Sequence, residues 1–238
     1  MNKRFFLKSL VLSTTGISFL GLSSGFRSYS KQRSWNGVFT MPPFEYGNDE
    51  FMPFIDAQTM ESHKALLAGY TKNLNDAVQR LGLKGRTAVE LCKRISEYPD
   101  QLKEYAGGFY NHKLFWRILS PEVNIKMNGD LLNAINMDFG SWEVFKKKFK
   151  NAGVSLSGSG WVWLLLANGR LKITTTSGND NPLMDLVPDK GHPLLCLDLW
   201  GHAYDNIFKG NREEYIDAFW TAVNWNTAER RYLAFRNI

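Results

Sequence analysis

Hydrophobic positions change their period about half-way along the chain. Between residues 56 and 119 they recur at threes and fours, the spacing of one face of an α-helix. Asp56-Ala57-Gln58-Thr59 supplies helix-starting residues, and behind them Met60, His63, Leu67, Tyr70, Leu74, Val78 and Leu81 form an inward stripe. Gly82 to Gly85 breaks this pattern. A second helical stretch, Thr87 to Ile95, stops before Pro99. A third runs from about Leu102 to Leu119 and puts Phe109, His112, Phe115, Trp116 and Leu119 on one face. Loop residues without periodicity fill Ser120 to Gly129 and read as a linker.

Beyond the linker the pattern is mixed. Gly129 to Asn151 is helical. Ser157-Gly158-Ser159-Gly160-Trp161-Val162-Trp163-Leu164-Leu165-Leu166 is a strand entered through small residues, and Asn168-Gly169 is a hairpin signal that returns it as Leu171 to Thr176. Leu194 to Leu197 is a third apolar run of strand character, and Ala203 to Tyr232 is helical again. The pattern predicts an α+β protein. An N-terminal helical hairpin domain (29–119, opened by the proline-fixed arm Met41-Pro42-Pro43-Phe44-Glu45-Tyr46) precedes the linker (120–129). A C-terminal α/β domain (130–238) carries a small three-stranded antiparallel sheet.

Composition changes this picture little: 44% hydrophobic and 22% charged residues describe an ordinary globular chain. Charge changes it more. The formal net charge is +6, but residues 1–28 contain Lys3, Arg4, Lys8 and Arg27 and no acid, so the rest balances nearly evenly. A nucleic-acid partner loses its electrostatic support. Residues 1–28 themselves read as a leader. The basic start Lys3-Arg4-Phe5-Phe6-Leu7-Lys8 and the interrupted apolar stretch Ser9–Leu22 resemble a twin-arginine export signal with Lys3 at the first arginine, or a general secretory one. This predicts an exported, periplasmic protein. Without a clear cleavage site, an uncleaved membrane anchor stays open as the only membrane contact. Cys92 and Cys196 belong to no paired motif, which leaves a disulfide unsupported, and Cys196 in its apolar run reads as a buried small hydrophobe.

The chemistry concentrates where the third strand ends. Leu194-Leu195-Cys196-Leu197-Asp198 runs into Trp200-Gly201-His202, so a strand-to-helix turn points Asp198 and His202 the same way. Taken alone, Asp198 is also a plausible helix cap, and a lone histidine on an apolar stripe is more often a hydrogen-bonded core residue. The chain has only four histidines. His63 and His112 lie on inward helical stripes, whereas His192, between Gly191 and Pro193, reads as an exposed loop residue. His63, His112, Asp198 and His202 together offer three imidazoles and a carboxylate, a set that suits one Fe or Mn ion better than a cysteine-rich structural zinc site.

These residues are similar to those of the iron/manganese superoxide dismutase family from about Pro42 to Tyr232. The resemblance rests on the opening arm and on Ile55-Asp56-Ala57-Gln58-Thr59-Met60-Glu61-Ser62-His63. It continues in Asn111-His112-x-x-Phe115-Trp116, Gly158-Ser159-Gly160-Trp161-Val162-Trp163-Leu164 and Asp198-x-Trp200-x-His202-Ala203-Tyr204. It implies that His63, His112, Asp198 and His202 are the ligands of one Fe or Mn ion. Tyr70 becomes the gateway tyrosine near the substrate channel, and Trp116, Trp161, Trp163 and Trp200 the aromatic wall. The activity it implies is superoxide disproportionation.

Departures from the family pattern are as specific. Gly201 stands where the family has a glutamate that reaches a ligand histidine across the dimer. Asp205 replaces a tyrosine whose helix-one partner is also missing, since that region offers only Leu66, Leu67 and Ala68. A monomer, or a homodimer without the usual bridges, is the expectation. His63 to Tyr70 is seven residues where the family has eight, so a helical bulge is absent. A glutamine that hydrogen-bonds metal-bound solvent is expected at Gly108 or Ser157, and of these Ser157 is the candidate to act through a water. Two classes follow: a superoxide dismutase, or a degenerate family member that keeps the metal or the scaffold for a binding role.

Overall fold

The boundaries of the helices follow their capping residues. In a computed structural model that describes residues 38–44, 46–47, 49–122 and 129–237, α1 spans Ala57–Arg80. It starts where the Asp56 carboxylate accepts from the Thr59 N–H at 2.8 Å. Met60, His63, Leu67, Leu74 and Val78 of its predicted stripe are buried and Tyr70 is half-buried, while Leu81 falls beyond the helix and is exposed. The helix runs unbroken from His63 to Tyr70, with no bulge. Thr87 and Glu90 form a reciprocal capping box that opens α2 (Ala88–Lys93). After a single 3-10 turn, α3 (Asp100–Arg117) lies antiparallel against α1, the pairing of a helical hairpin.

Two long helical expectations divide. The stretch from Gly129 to Asn151 is α4 (Asp130–Phe139) and α5 (Trp142–Ser155), because Gly140 adopts φ +94° and Ser141 caps the next helix through Val144. The stretch from Ala203 to Tyr232 is three helices, α6 (Gly201–Phe208), α7 (Arg212–Phe219) and α8 (Trp225–Phe235). Lys209 and Gly210 turn left-handed after α6, and Asn211 and Asn224 cap the two helices that follow. Side-chain capping outweighs an apolar periodicity that runs straight through these breaks.

The sheet has the order β2-β1-β3 and is antiparallel throughout, from β1 (Gly160–Ala167), β2 (Arg170–Ser177) and β3 (His192–Asp198). Asn168 and Gly169 both take positive φ, the geometry of a two-residue hairpin turn. The central strand β1 is buried almost end to end, which accounts for its continuous apolar run. His192 is a correction: it opens β3, half-buried, and its ring stacks on Phe235 at 4.4 Å.

One core cluster joins the sheet, α4–α8 and the neighbouring ends of α1 and α3, and a second fills the helical hairpin around Leu67, Leu74, Leu91 and Phe109. No helix among the described residues is long and apolar enough to cross a membrane. The predicted leader (1–28) and most of the predicted linker lie outside the described residues.

Candidate metal centre

Four elements each deliver one donor to the same point. His63 comes from the second turn of α1, His112 from the fourth turn of α3, Asp198 from the last position of β3, and His202 from the first turn of α6. Their ligand atoms lie within 4.8 Å of one another. Asp198 Oδ2 is 3.6 Å from His63 Nε2, 3.4 Å from His112 Nε2 and 3.3 Å from His202 Nε2. Such separations suit donors that share one ion at bonds of about 2 Å.

The orientation of each donor has a local cause. His63 Nδ1 meets the Thr59 carbonyl and His112 Nδ1 the Gly108 carbonyl, both at 2.8 Å and both four residues back in the same helix. A carbonyl only accepts, so each Nδ1 carries the proton and each Nε2 presents its lone pair. The Trp200 N–H donates to Asp198 Oδ1 at 2.9 Å and leaves Oδ2 facing the three imidazoles. Those three Nε2 atoms and Asp198 Oδ2 are buried without a hydrogen-bond partner. Leaving such atoms unpaired costs on the order of 1–3 kcal/mol each, and one cation bound to all four removes that cost. Three nitrogens and a hard oxygen fit Fe or Mn. Burial lowers the His112 pKa to about 4, against the opposing pull of Asp198, and so keeps the imidazole neutral. Burial alone raises the Asp198 pKa, but the His202, His63 and His112 imidazoles beside it hold it well below the usual carboxylate range.

Aromatic rings enclose the donors. Trp161 is the cross-strand partner of Asp198, so both side chains leave the same face of the sheet, and its ring meets His112 edge-on at 5.1 Å. Trp116 meets His63 at 5.3 Å and Trp200 lies 6.0 Å from His202. Trp163 stands behind Trp161 and donates to Thr176 Oγ1. Of the four donors, His63, His112 and Asp198 are buried and His202 keeps 24% of its side chain exposed.

Tyr70 borders this group, its ring 5.3 Å from that of His112. Its hydroxyl accepts from Asn179 Nδ2 at 2.9 Å and faces Glu104 Oε1 at 3.4 Å, and Asn179 also donates to Glu104 at 2.5 Å. Burial pushes the Tyr70 pKa up to about 12; Asn179 opposes this and the Glu104 charge adds to it. The phenol therefore keeps its proton at neutral pH.

Residues 38–120 match the family model for the alpha-hairpin domain of iron/manganese superoxide dismutases, and residues 127–231 that for their C-terminal domain. A manganese superoxide dismutase of Acinetobacter baylyi is 40% identical over 198 residues, covering 82% of this chain and 87% of its own length. The chain belongs to the iron/manganese superoxide dismutase family. Manganese superoxide dismutases of Listeria innocua and Listeria monocytogenes are 38% and 36% identical over 207 residues, covering 82% of this chain and 98% of each relative.

Within this superoxide dismutase fold, all four sequence-predicted ligand residues meet, and Tyr70 lies beside them. Ser157 is exposed, in the loop between α5 and β1. Gly108, the other expected position for an amide, has no room for one, because a Cβ there would lie 2.5 Å from the Tyr70 ring. The amide that reaches Tyr70 belongs to Asn179, just beyond the end of β2, with its Oδ1 buried and unpartnered. Sequence reasoning missed Asn179 and Glu104. Asn179 sits in Ser177-Gly178-Asn179-Asp180-Asn181-Pro182, which reads as turn chemistry, and its one distinguishing signal is that the run lies between two strands of a sheet whose third strand ends in a ligand.

Proposed function

We propose that the chain disproportionates superoxide, two radical anions and two protons giving one dioxygen and one hydrogen peroxide, at one Fe or Mn ion held by His63, His112, Asp198 and His202. The observation that carries this reading is the convergence of four buried, otherwise unpartnered donors inside an aromatic wall. The metal supplies one-electron redox chemistry when bound. The chain's own part is to bind and to move protons. Neutral imidazoles and an ionised Asp198 present lone pairs, and the Asp198 charge favours the higher oxidation state. Trp116, Trp161 and Trp200 limit water at the donors. Tyr70 holds a proton beside the site, and the Asn179 amide and Glu104 fix its hydroxyl, giving a short path along which protons reach the reduced product.

The same reading includes an exported protein, on the basis of the leader pattern, and a monomer or a homodimer without the family's usual bridges, on the basis of Gly201 and Asp205. A Cβ at Gly201 would lie 2.4 Å from Asp205 Oδ2, so the Asp205 carboxylate folds over the start of α6 where a bridging side chain would have to emerge.

Metal analysis together with superoxide turnover of the purified protein tests the reading. One Fe or Mn per chain with turnover at enzyme-like rates is expected. Stoichiometric metal without turnover would instead favour a binding role on a degenerate scaffold, and a protein that takes up neither metal would remove the ligand assignment.

A further inference from the structure

A second cavity, of about 580 Å³, opens among α2, α3, the start of β3 and the end of α8. Its volume falls within the roughly 300–1,000 Å³ typical of small-molecule sites. Phe109, Leu114, Leu183, Pro193 and Phe235 supply an apolar wall. Around that wall stand four cations from three different helices: Lys93 on α2, Lys113 and Arg117 on α3, and Arg231 on α8. No Asp or Glu is among the described residues that line it, and none of the four cations makes an ion pair with a described residue. His63, Asp198 and His202 take no part in this cavity.

Such a distribution is costly when no anion is present. Lys113 and Arg117 are four residues apart on one helix, where like charges repel. Lys113 is half-buried with its ammonium 5.1 Å from the Phe109 ring. Its burial, with the Arg117 charge added, pushes its pKa below the ordinary lysine value. His192, on another wall, has its pKa lowered by burial and then by Lys93 and Arg231. Groups on separate elements therefore feel the same positive potential. Lys113 and Arg117 also line a neighbouring cavity of about 520 Å³ beneath the opening arm, so they stand on the ridge between the two.

We propose that this cavity binds a small amphipathic anion, a carboxylate or sulfonate carried on an apolar body, with its head at Lys113 and Arg117 and its body against Phe109, Leu114 and Phe235. The apolar wall and the cation ridge select together. Inorganic phosphate satisfies the charge and leaves the wall unused, while a neutral alcohol does the reverse. The site is independent of the dismutase reading.

Fluorescence titration of the full chain with anilinonaphthalene sulfonate, followed by displacement with decanoate, decanol or inorganic phosphate, tests the proposal. Saturable one-site binding is expected, displaced by decanoate at least tenfold more effectively than by decanol or phosphate. The double variant Lys113→Gln, Arg117→Gln should bind the probe at least tenfold more weakly. Val89→Trp, a change at an exposed lining position on α2, should block the cavity without touching its charges. Both variants should keep the parent's melting temperature and metal content, which separates site loss from unfolding. Absence of saturable binding, equal displacement by decanol, or undiminished binding in both variants overturns the proposal.

Discussion

At the scale of single residues, the proposed site divides into groups placed to hold a metal and groups placed to hold a proton. His63 and His112 have their tautomers fixed by carbonyls of their own helices, whereas Tyr70 depends on partners from elsewhere. Tyr70→Phe should therefore leave metal content unchanged and lower turnover, by up to about a hundredfold if the phenol proton is used in the reaction. Asn179→Ala should lower it less, about tenfold, and should make the pH profile of turnover follow a tyrosine no longer held by an amide. Metal analysis beside steady-state assays separates these effects from loss of the ion. The four converging donors were legible as candidates in the sequence because histidine is rare in this chain and because they lie on apolar stripes or at the end of a strand. Asn179 was not legible. Its partners lie far away in sequence, on α1 and α3, and nothing in an Asn-Asp-Asn-Pro turn distinguishes an amide aimed into a site from one that closes a loop.

At the scale of elements, the site depends on how helix ends are tied to one another. Asp56 caps α1 and also accepts from Asn206 on α6, so one carboxylate couples the helices that carry His63 and His202. Burial opposes its ionisation, but Thr59 and Asn206 outweigh that and lower its pKa below the ordinary carboxylate value. Asp56→Ala should cost about 1 kcal/mol at neutral pH, the usual value of an N-cap. Because the folded pKa is the lower one, this contribution is complete above the unfolded carboxylate pKa of about 3.9. It disappears as pH falls through the folded value. Thermal melts of the parent and the variant should differ at pH 7 and converge in acid. Element type was well predicted from periodicity, and the sheet with its Asn-Gly hairpin came directly from strand and turn signals. The breaks at Gly140-Ser141, Lys209-Gly210 and Asn224 were hidden because apolar residues continue in helical register across them, and only the caps mark the ends.

At the scale of the whole molecule, the surface beside the metal site distinguishes this chain from the pattern it resembles. Gly201 and Asp205 occupy positions where cross-dimer partners are expected, and the Asp205 carboxylate lies against the space a side chain at position 201 would enter. Light scattering at micromolar concentration should return the mass of one chain, or of a dimer that leaves the His202 surface uncovered. A tight dimer that protects His202 from exchange would overturn this. Arg212 holds the same region together from within: its guanidinium donates to the carbonyls of Leu156 at 2.6 Å and Gly158 at 2.8 Å, joining the α5–β1 loop to α7.

The four donors are also widely spaced along the polypeptide, at positions 63, 112, 198 and 202. An ion bound to all of them acts on chain topology as a covalent crosslink does. It closes one long loop through α2 and most of α3, and a longer one through α4, α5 and the first two strands, and closing large loops restricts the unfolded chain most. Residues before His63 and after His202 belong to neither loop. In the metal-loaded protein, the opening arm at one end of the chain and α7 and α8 at the other can unravel without opening a ring.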